Sequence, residues 1–238
     1  MDAQVQDALD RDWYHTLELT PGVWTDGWFD MRQYVEHYGL PDDMRGLRVL
    51  DVGTWDGFWA FEFEQRGAQV VALDLDDERD LDWPPRLRPK SYPEESRGAG
   101  FAIAKELRGS AVERVTCSIY HAKPEDLGTF DIVFCGSVLM HLRDQFLALE
   151  RIARLCGPDG KMICATEYHR RAGLAPFAAA NFCGDHNPWV FWMPSIRTWE
   201  RMIWAAGFDR NNQVGRFRLR AENTDVRHVV FHASGCSI

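Results

Sequence analysis

The sequence contains no C-x-x-C pair among its six cysteines, which stand at positions 117, 135, 156, 164, 183 and 236. That absence argues against a zinc ribbon and against a thioredoxin-like redox motif. Several of the cysteines lie in apolar runs such as Ile132-Val133-Phe134-Cys135 and Met162-Ile163-Cys164, where a thiol packs as a small hydrophobe. Neither they nor the eight histidines are read as a ligand set, so no metal is expected. No apolar run reaches the length of a bilayer span, which disfavours a membrane protein. The opening MDAQVQDALDRDW is acidic and polar, without a signal-peptide core, and the expected location is the cytosol. Excess positive charge is also missing. A formal net charge of −9 disfavours an extended nucleic-acid footprint, because such binding draws its free energy mostly from cationic side chains that displace counterions.

What is present is an ordinary globular composition, 45% hydrophobic and 26% charged over 238 residues, enough for one sizeable α/β core. Basic residues gather locally at Arg86, Arg88 and Lys90, at Arg170 and Arg171, and at Arg216, Arg218 and Arg220. The last group alternates with Phe217 and Leu219, as on a strand with one solvated face.

Periodicity and turn chemistry give an order of elements. Residues 28–38 are expected to form a helix closed by Gly39-Leu40-Pro41. A buried strand over 47–52, a helix over 57–66 and a second strand over 70–73 follow. The Pro-, Arg- and Gly-rich stretch 78–99 has no useful period and is read as a mobile loop. A helix over 101–107 leads to a third strand over 112–119, and a fourth covers 130–135. The helix over 145–156 carries Phe146, Leu149, Ala153 and Cys156 on one stripe. Gly157-Pro158-Asp159-Gly160 turns into a fifth strand over 161–166. Ser195 is an expected N-cap for a helix bearing Ile196, Trp199, Ile203 and Ala206, with Gly207 as its stop. Two last strands, 213–220 and 226–233, are joined by a short polar link and should pair antiparallel. Alternating strands and helices with a terminal hairpin predict an α/β fold, a doubly wound, mostly parallel seven-stranded sheet.

The most informative stretch is Val49-Leu50-Asp51-Val52-Gly53-Thr54-Trp55-Asp56-Gly57-Phe58. A buried strand that breaks into a glycine turn and opens a helix brings backbone N–H groups to a place where a nucleotide-like ligand can approach. The acid Asp74, at the end of the next apolar run, is placed to grip a ribose diol. The bulky Trp55 in the turn hinders a pyrophosphate and so argues against a dinucleotide. The plainer alternative is that Gly53 and Gly57 only shape the turn.

The spacing D-x-G-x-x-x-G from Asp51 through Gly53 to Gly57 resembles motif I of class I S-adenosylmethionine-dependent methyltransferases. Residues 130–142 and Gly157-Pro158-Asp159-Gly160-Lys161 look like the later motifs of the same class. Trp13-Tyr14-His15-Thr16-Leu17-Glu18-Leu19, Pro194-Ser195 and Ala206-Gly207-Phe208 resemble the branch that contains tRNA wobble-uridine methyltransferases and carboxymethyltransferases. The resemblance implies one methyltransferase domain over residues 1–238, with an N-terminal cap over 1–45 and a substrate-cover insertion over 168–194. It implies S-adenosyl-L-methionine as cofactor. Asp51, Gly53, Thr54 and Gly57 would hold the methionine end, Asp74 the ribose and Leu75 the adenine, which Ser118, Ile119 and Tyr120 would flank. Gly136 and Ser137 would border the methionine portion. Carboxymethyl-transferring members look as if they need a tyrosine where this chain has Met140, and they carry a basic N-terminal extension where this chain has an acidic lead. Both departures favour ordinary S-adenosylmethionine as the cofactor. The expected reaction is methyl transfer to a small-molecule substrate, an oxygen of an aromatic or acidic metabolite, with tRNA as the runner-up. A third alternative is a cofactor-binding module without turnover.

His141, just after the fourth strand, is the first candidate for a general base, because imidazole titrates near neutral pH. Its alternative is a histidine bonded to the surrounding structure. Glu167, at the end of the fifth strand, is the second candidate, with a solvated surface carboxylate as alternative. Trp13, Tyr14, Trp24, Trp28, Trp189, Phe191 and Trp192 could enclose a planar acceptor or screen a sulfonium, or simply pack the cap. His169, Arg170 and Arg171 could pair with an acidic group. The oligomeric state is not legible.

Overall fold

Seven strands pair into one sheet in the computed structural model, which describes residues 3–222 and 224–236. They are β1 (Arg48–Val52), β2 (Gln69–Asp74), β3 (Glu113–Thr116), β4 (Phe130–Gly136), β5 (Cys156–Glu167), β6 (Phe208–Ala221) and β7 (Thr224–Cys236). Their order across the sheet is β6-β7-β5-β4-β1-β2-β3. The strands β1 to β5 run parallel, and the β6–β7 hairpin adds antiparallel to β5. Asn223 in the hairpin link, and the ends 1–2 and 237–238 of the expected domain, lie outside the described residues. The helices are α1 (Ala3–Leu9), α2 (Phe58–Gln65), α3 (Ala99–Arg108), α4 (Pro124–Leu127), α5 (Gln145–Leu155) and α6 (Ile196–Ala205). None of the described helices is long and apolar enough to cross a membrane.

Each face of the sheet carries its own apolar cluster. On one face Val49, Ala72, Phe134, Ile163 and Val230 pack with α2, α3 and the N-terminal segment. On the other, Leu50, Leu73, Val133, Met162 and Phe231 pack with α5 and α6. Period-two alternation along each strand produces this sorting. Asp51 and Asp74 fall on the face of the first cluster, since they alternate with Leu50 and Leu73.

Several boundaries differ from the sequence reading. Residues 28–38 split into a strand at Gly27–Phe29 and a 3-10 helix at Arg32–Tyr38, because Trp13–His15 pairs with Gly27–Phe29 and keeps those residues extended. The third strand ends at Thr116, where the Cys117 amide donates to the Asp74 carbonyl and the chain turns away. Phe146 is exposed, and Ala148, Leu149, Ile152 and Ala153 form the buried stripe of α5. Phe130 pairs with Cys156 and Ile132 with Lys161, so 157–160 bulge from the ladder as the turn residues suggest. Ser195 does cap α6, its hydroxyl accepting from the Thr198 amide at 3.2 Å. In the 78–99 stretch, Trp83 is buried and donates through Nε1 to the Glu78 carbonyl at 2.6 Å.

The N-terminal segment is fastened to the first cluster by one carboxylate. Asp56 Oδ2 accepts from the Tyr14 amide at 3.1 Å and the His15 amide at 2.8 Å, while Oδ1 meets His15 Nδ1. All of these groups except the Tyr14 ring are buried. Removing one partner of a buried charged cluster typically costs about 3–5 kcal/mol. Asp56→Ala is therefore expected to lower the unfolding free energy by an amount in that range, read as a lower denaturant midpoint at unchanged slope, with early proteolysis ahead of residue 30. An unchanged midpoint would show that the N-terminal segment is held by apolar packing alone.

Candidate functional site

The turn after β1 takes left-handed backbone at three positions, Gly53 (φ +76°), Trp55 (φ +50°) and Gly57 (φ +96°). A Cβ on Gly53 would lie 2.4 Å from Val138 Cγ2, and one on Gly57 would lie 2.5 Å from Phe61. Only glycine fits either place, by conformation and by space. Trp55 pays a backbone penalty that a glycine would not. Its amide donates to Asp74 Oδ2 at 2.7 Å, and its ring stacks on Tyr14 at a centroid distance of 4.3 Å. The Arg97 guanidinium lies 3.8 Å from the indole centroid.

The turn is not the open cradle of N–H groups that its sequence suggests. The Gly53 and Thr54 amides both donate to the Leu73 carbonyl, at 2.7 and 3.3 Å, and the Gly57 amide donates to Thr54. Polar capacity resides in side chains instead. Asp51 Oδ2 and Thr54 Oγ1 are buried without hydrogen-bond partners. Burial raises the Asp51 carboxyl to about 7, against the pull of the nearby Thr54 hydroxyl and His15. Asp74 accepts one N–H on each oxygen, from Trp55 and from Leu75 at 2.7 Å, which leaves further lone pairs for a diol. Arg97 Nη2 stands 3.9 Å from Asp74 Oδ1 and Nη1 3.8 Å from Glu78 Oε1, while Nε and Nη1 are buried without a hydrogen-bond partner.

Ser118, Ile119 and Tyr120 lie beyond the end of β3, in the turn that follows it. Ile119 is buried in the second cluster, and Tyr120 is held by structure. Its hydroxyl donates to Asp82 Oδ2 at 2.5 Å and accepts from the Asp144 amide at 3.0 Å, linking the 78–99 stretch to the start of α5. The Ser118 hydroxyl accepts from the Tyr120 amide at 3.3 Å.

Gly136 ends β4 against the Phe134 ring, and Ser137, just beyond, is again left-handed at φ +58°. The imidazole of His141 is solvent-accessible, yet burial among neighbouring groups and the nearby Arg97 charge lower its pKa. Its Nδ1 donates to the Trp189 carbonyl at 2.5 Å, which leaves Nε2 as a free lone pair. Burial raises Glu167, at the end of β5, to about 7. Glu167 also helps raise the Tyr14 phenol to about 12, although burial is the larger cause there. On the 168–194 segment, Trp189 meets Trp83 edge to face at 4.6 Å. Met140 points into a small cluster with Cys183 and Val190. His169 Nδ1 accepts from the Ala172 amide at 3.0 Å, while Arg170 and Arg171 are exposed.

Residues 30–212 match the family described as a methyltransferase domain. The chain belongs to that family. A ubiquinone biosynthesis O-methyltransferase from Xanthomonas oryzae pv. oryzae is 32% identical over 133 residues, 56% of this chain and 48% of the relative. A tRNA U34 carboxymethyltransferase from Desulforapulum autotrophicum is 25% identical over 68% of this chain and 44% of its own length. The chain thus spans about half the length of these curated relatives. In fold it is similar to a 1,6-didemethyltoxoflavin-N1-methyltransferase from Burkholderia thailandensis, solved with S-adenosylhomocysteine, at TM-score 0.55 and 19% identity over 81% of this chain and 72% of the other. The doubly wound seven-stranded sheet is the Rossmann-like sheet of class I methyltransferases.

The residues present fit S-adenosylmethionine. The unbonded Asp51 Oδ2 and Thr54 Oγ1 suit an ammonium and carboxylate pair, and Asp74 has lone pairs left for ribose hydroxyls. Three contributors were not identified as site residues from sequence. Asp56 is a buried acid inside the motif itself. His228 alternates with the exposed Arg227, a period that places it inward. Arg97 lies in a stretch with no period and gave no signal. His228 and His232 stand four apart, a spacing that converges two rings on a helix. On the extended β7 they bond different partners, Ser137 and the Tyr38 carbonyl, and no metal-holding cluster occurs among the described residues.

The raised Asp51 has a stability consequence. The folded state keeps its proton up to about 7, whereas an unfolded aspartate releases it near 3.9. Stability from this group is thus complete below the unfolded value and is lost as pH rises through the folded one. Without cofactor, Asp51→Asn should exceed wild type in melting temperature at pH 8 and not at pH 4. Parallel melting curves across that range would remove Asp51 from the pH dependence.

Proposed function

We propose that this chain is an S-adenosylmethionine-dependent methyltransferase that methylates an oxygen of a small aromatic or acidic molecule. The observation that carries this reading is the convergence, in a methyltransferase-domain chain, of Asp51, Thr54 and Asp74 at the carboxyl ends of β1 and β2, where open α/β sheets bind ligands. Asp51, Gly53, Thr54 and Gly57 hold the methionine end, Asp74 the ribose, Leu75 and the Ser118–Tyr120 turn the adenine, and Gly136 and Ser137 border the methionine portion. When bound, S-adenosylmethionine supplies a sulfonium methyl group open to in-line displacement. The chain aligns the acceptor and removes a proton. The segments 1–45 and 168–194 serve as covers, with Tyr14 stacked on Trp55 in the first and Trp189 packed edge to face on Trp83 in the second.

Glu167 is the stronger base near neutral pH, since its value of about 7 lies where a general base works best, while His141 is held lower. A base acts in its ionised form, so the rate should rise with pH through about 7. Glu167→Gln is expected to lower turnover roughly 10²-fold or more and abolish that ionisation. If His141→Ala removes it instead, the assignment passes to His141.

Calorimetric titration with S-adenosylmethionine checks the cofactor. Asp74→Ala should weaken binding by about 1–3 kcal/mol, the cost of unpaired polar groups; equal affinity would exclude Asp74. Labelled cofactor incubated with separate RNA and metabolite extracts tests the acceptor. Methyl transfer to tRNA with a steep salt dependence would favour the RNA-modifying reading over the small-molecule one.

A further inference from the structure

Strand register sets Cys156 and Cys236 across from each other, at the end of the sheet away from Asp51 and Asp74. The β5–β7 ladder runs from Glu167 opposite His228 to Lys161 opposite Ser234. Two ladder steps further along β7 lies Cys236, since Ser234 and Cys236 face Arg210 and Phe208 of β6 in regular register. The same two steps along β5 reach Cys156, because Ile132 and Phe130 of β4 face Lys161 and Cys156 while 157–160 bulge out. Both cysteines also pack into one apolar cluster, the one beneath α5 and α6.

Facing residues of an antiparallel pair have Cα atoms about 4.5–5.5 Å apart, inside the span of about 4.4–6.8 Å that a disulfide bridges. Both thiols are free. Cys236 is half-buried and Cys156 is 6% exposed, so a small oxidant meets Cys236 first. The hydrogen bond between the two thiols lowers Cys236 and raises Cys156, which favours thiolate at the accessible sulfur. Cys117, the other half-buried thiol, is raised by burial instead. Cys135 and Cys164 face each other across β4 and β5 as well, but both are 0% exposed, and an oxidant has no path to them.

We propose that Cys236 and Cys156 are a modification site, forming a reversible disulfide on exposure to a hydroperoxide, with Cys236 the reacting thiol and Cys156 the resolving one. The Cys236 thiolate attacks one peroxide oxygen: the S–O bond forms, the O–O bond breaks, and the departing hydroxide takes up a proton to become water. The Cys156 sulfur, giving up its proton, then displaces hydroxide from the sulfenic acid, and proton and hydroxide leave as a second water. The two thiols lose two electrons and the peroxide gains them. The bond ties the β7 end to β5 and closes a loop that contains the 168–194 segment, α6 and the β6–β7 hairpin. It is independent of the methyl-transfer reading.

The test treats reduced wild-type protein with hydrogen peroxide in native buffer, alkylates it in denaturant and maps its peptides by mass spectrometry. Four of the six thiols should remain alkylatable, the peptides bearing 156 and 236 should be joined within one chain, and dithiothreitol should restore all six. In Cys156→Ala the resolving thiol is gone, and dimedone should capture Cys236 as its sulfenic acid. Cys236→Ala should keep all its remaining thiols at the same dose. Six alkylatable thiols in treated wild type, a Cys135–Cys164 or interchain linkage, or a loss that dithiothreitol does not reverse overturns the proposal. Dimedone on Cys117 with none on Cys236 overturns the assigned roles. Should Cys156→Ala fail to fold, the wild-type map still decides the pairing.

Discussion

The buried Asp56 carboxylate is the interaction on which the rest of the site depends. It gathers two amides and an imidazole from the N-terminal segment, and it can do so only because the turn after β1 lifts it between two left-handed residues, Trp55 and Gly57. A non-glycine residue in that conformation costs of order 1–3 kcal/mol. Several contacts offset the cost at Trp55: its amide's bond to Asp74, the Tyr14 ring on one side and the Arg97 guanidinium over the indole. Fastening the N-terminal segment thus also sets where Tyr14 sits, and Tyr14 stacks on Trp55 in the turn of the candidate site. Fold and site share one set of hydrogen bonds.

A second consequence is electrostatic. Titratable groups at the strand ends that are withdrawn from water move toward neutrality: Asp51 and Glu167 upward, His228 downward. Desolvation is the largest cause in all three. Such a site is stable without ligand largely because its carboxylates can keep their protons, and it gains most from a ligand that brings positive charge. An ammonium and a sulfonium are both of that kind. Stability in the free state and affinity in the bound state therefore compete at Asp51.

How much of this could be read in advance varied with the kind of signal. The succession of strands and helices, the terminal hairpin and the α6 cap follow from period-two runs and capping chemistry, which act within a few residues of sequence. The same local logic singled out Asp51, Gly53, Gly57 and Asp74, which the fold brings together at the ends of β1 and β2. It failed where long-range pairing overrode local preference, as at Trp28 and Phe29, drawn into a strand by Trp13–His15. It also misread the turn amides, because their acceptors, the Leu73 carbonyl and the Asp74 carboxylate, belong to the neighbouring strand. Arg97 was invisible for another reason. Its position depends on a stretch tied down by contacts remote in sequence, among them the Tyr120–Asp82 and Arg11–Glu95 bonds.

The basic clusters bear on the choice between a small acceptor and a nucleic acid. Arg216, Arg218 and Arg220 are exposed along β6 while Phe217 and Leu219 are buried between them. Since β6 is an edge strand, exposed charge there also discourages pairing with another chain, and Arg218 is already engaged by Asp225 at 2.7 Å. These cations therefore have a local physical role that requires no phosphate backbone. Above the strand ends, meanwhile, Trp83 meets Trp189, and His141 is tied to the Trp189 carbonyl, so two covering segments close toward each other over the candidate base. A roof of that kind suits an acceptor small enough to be enclosed. A polymer would have to present a single flipped-out unit beneath it.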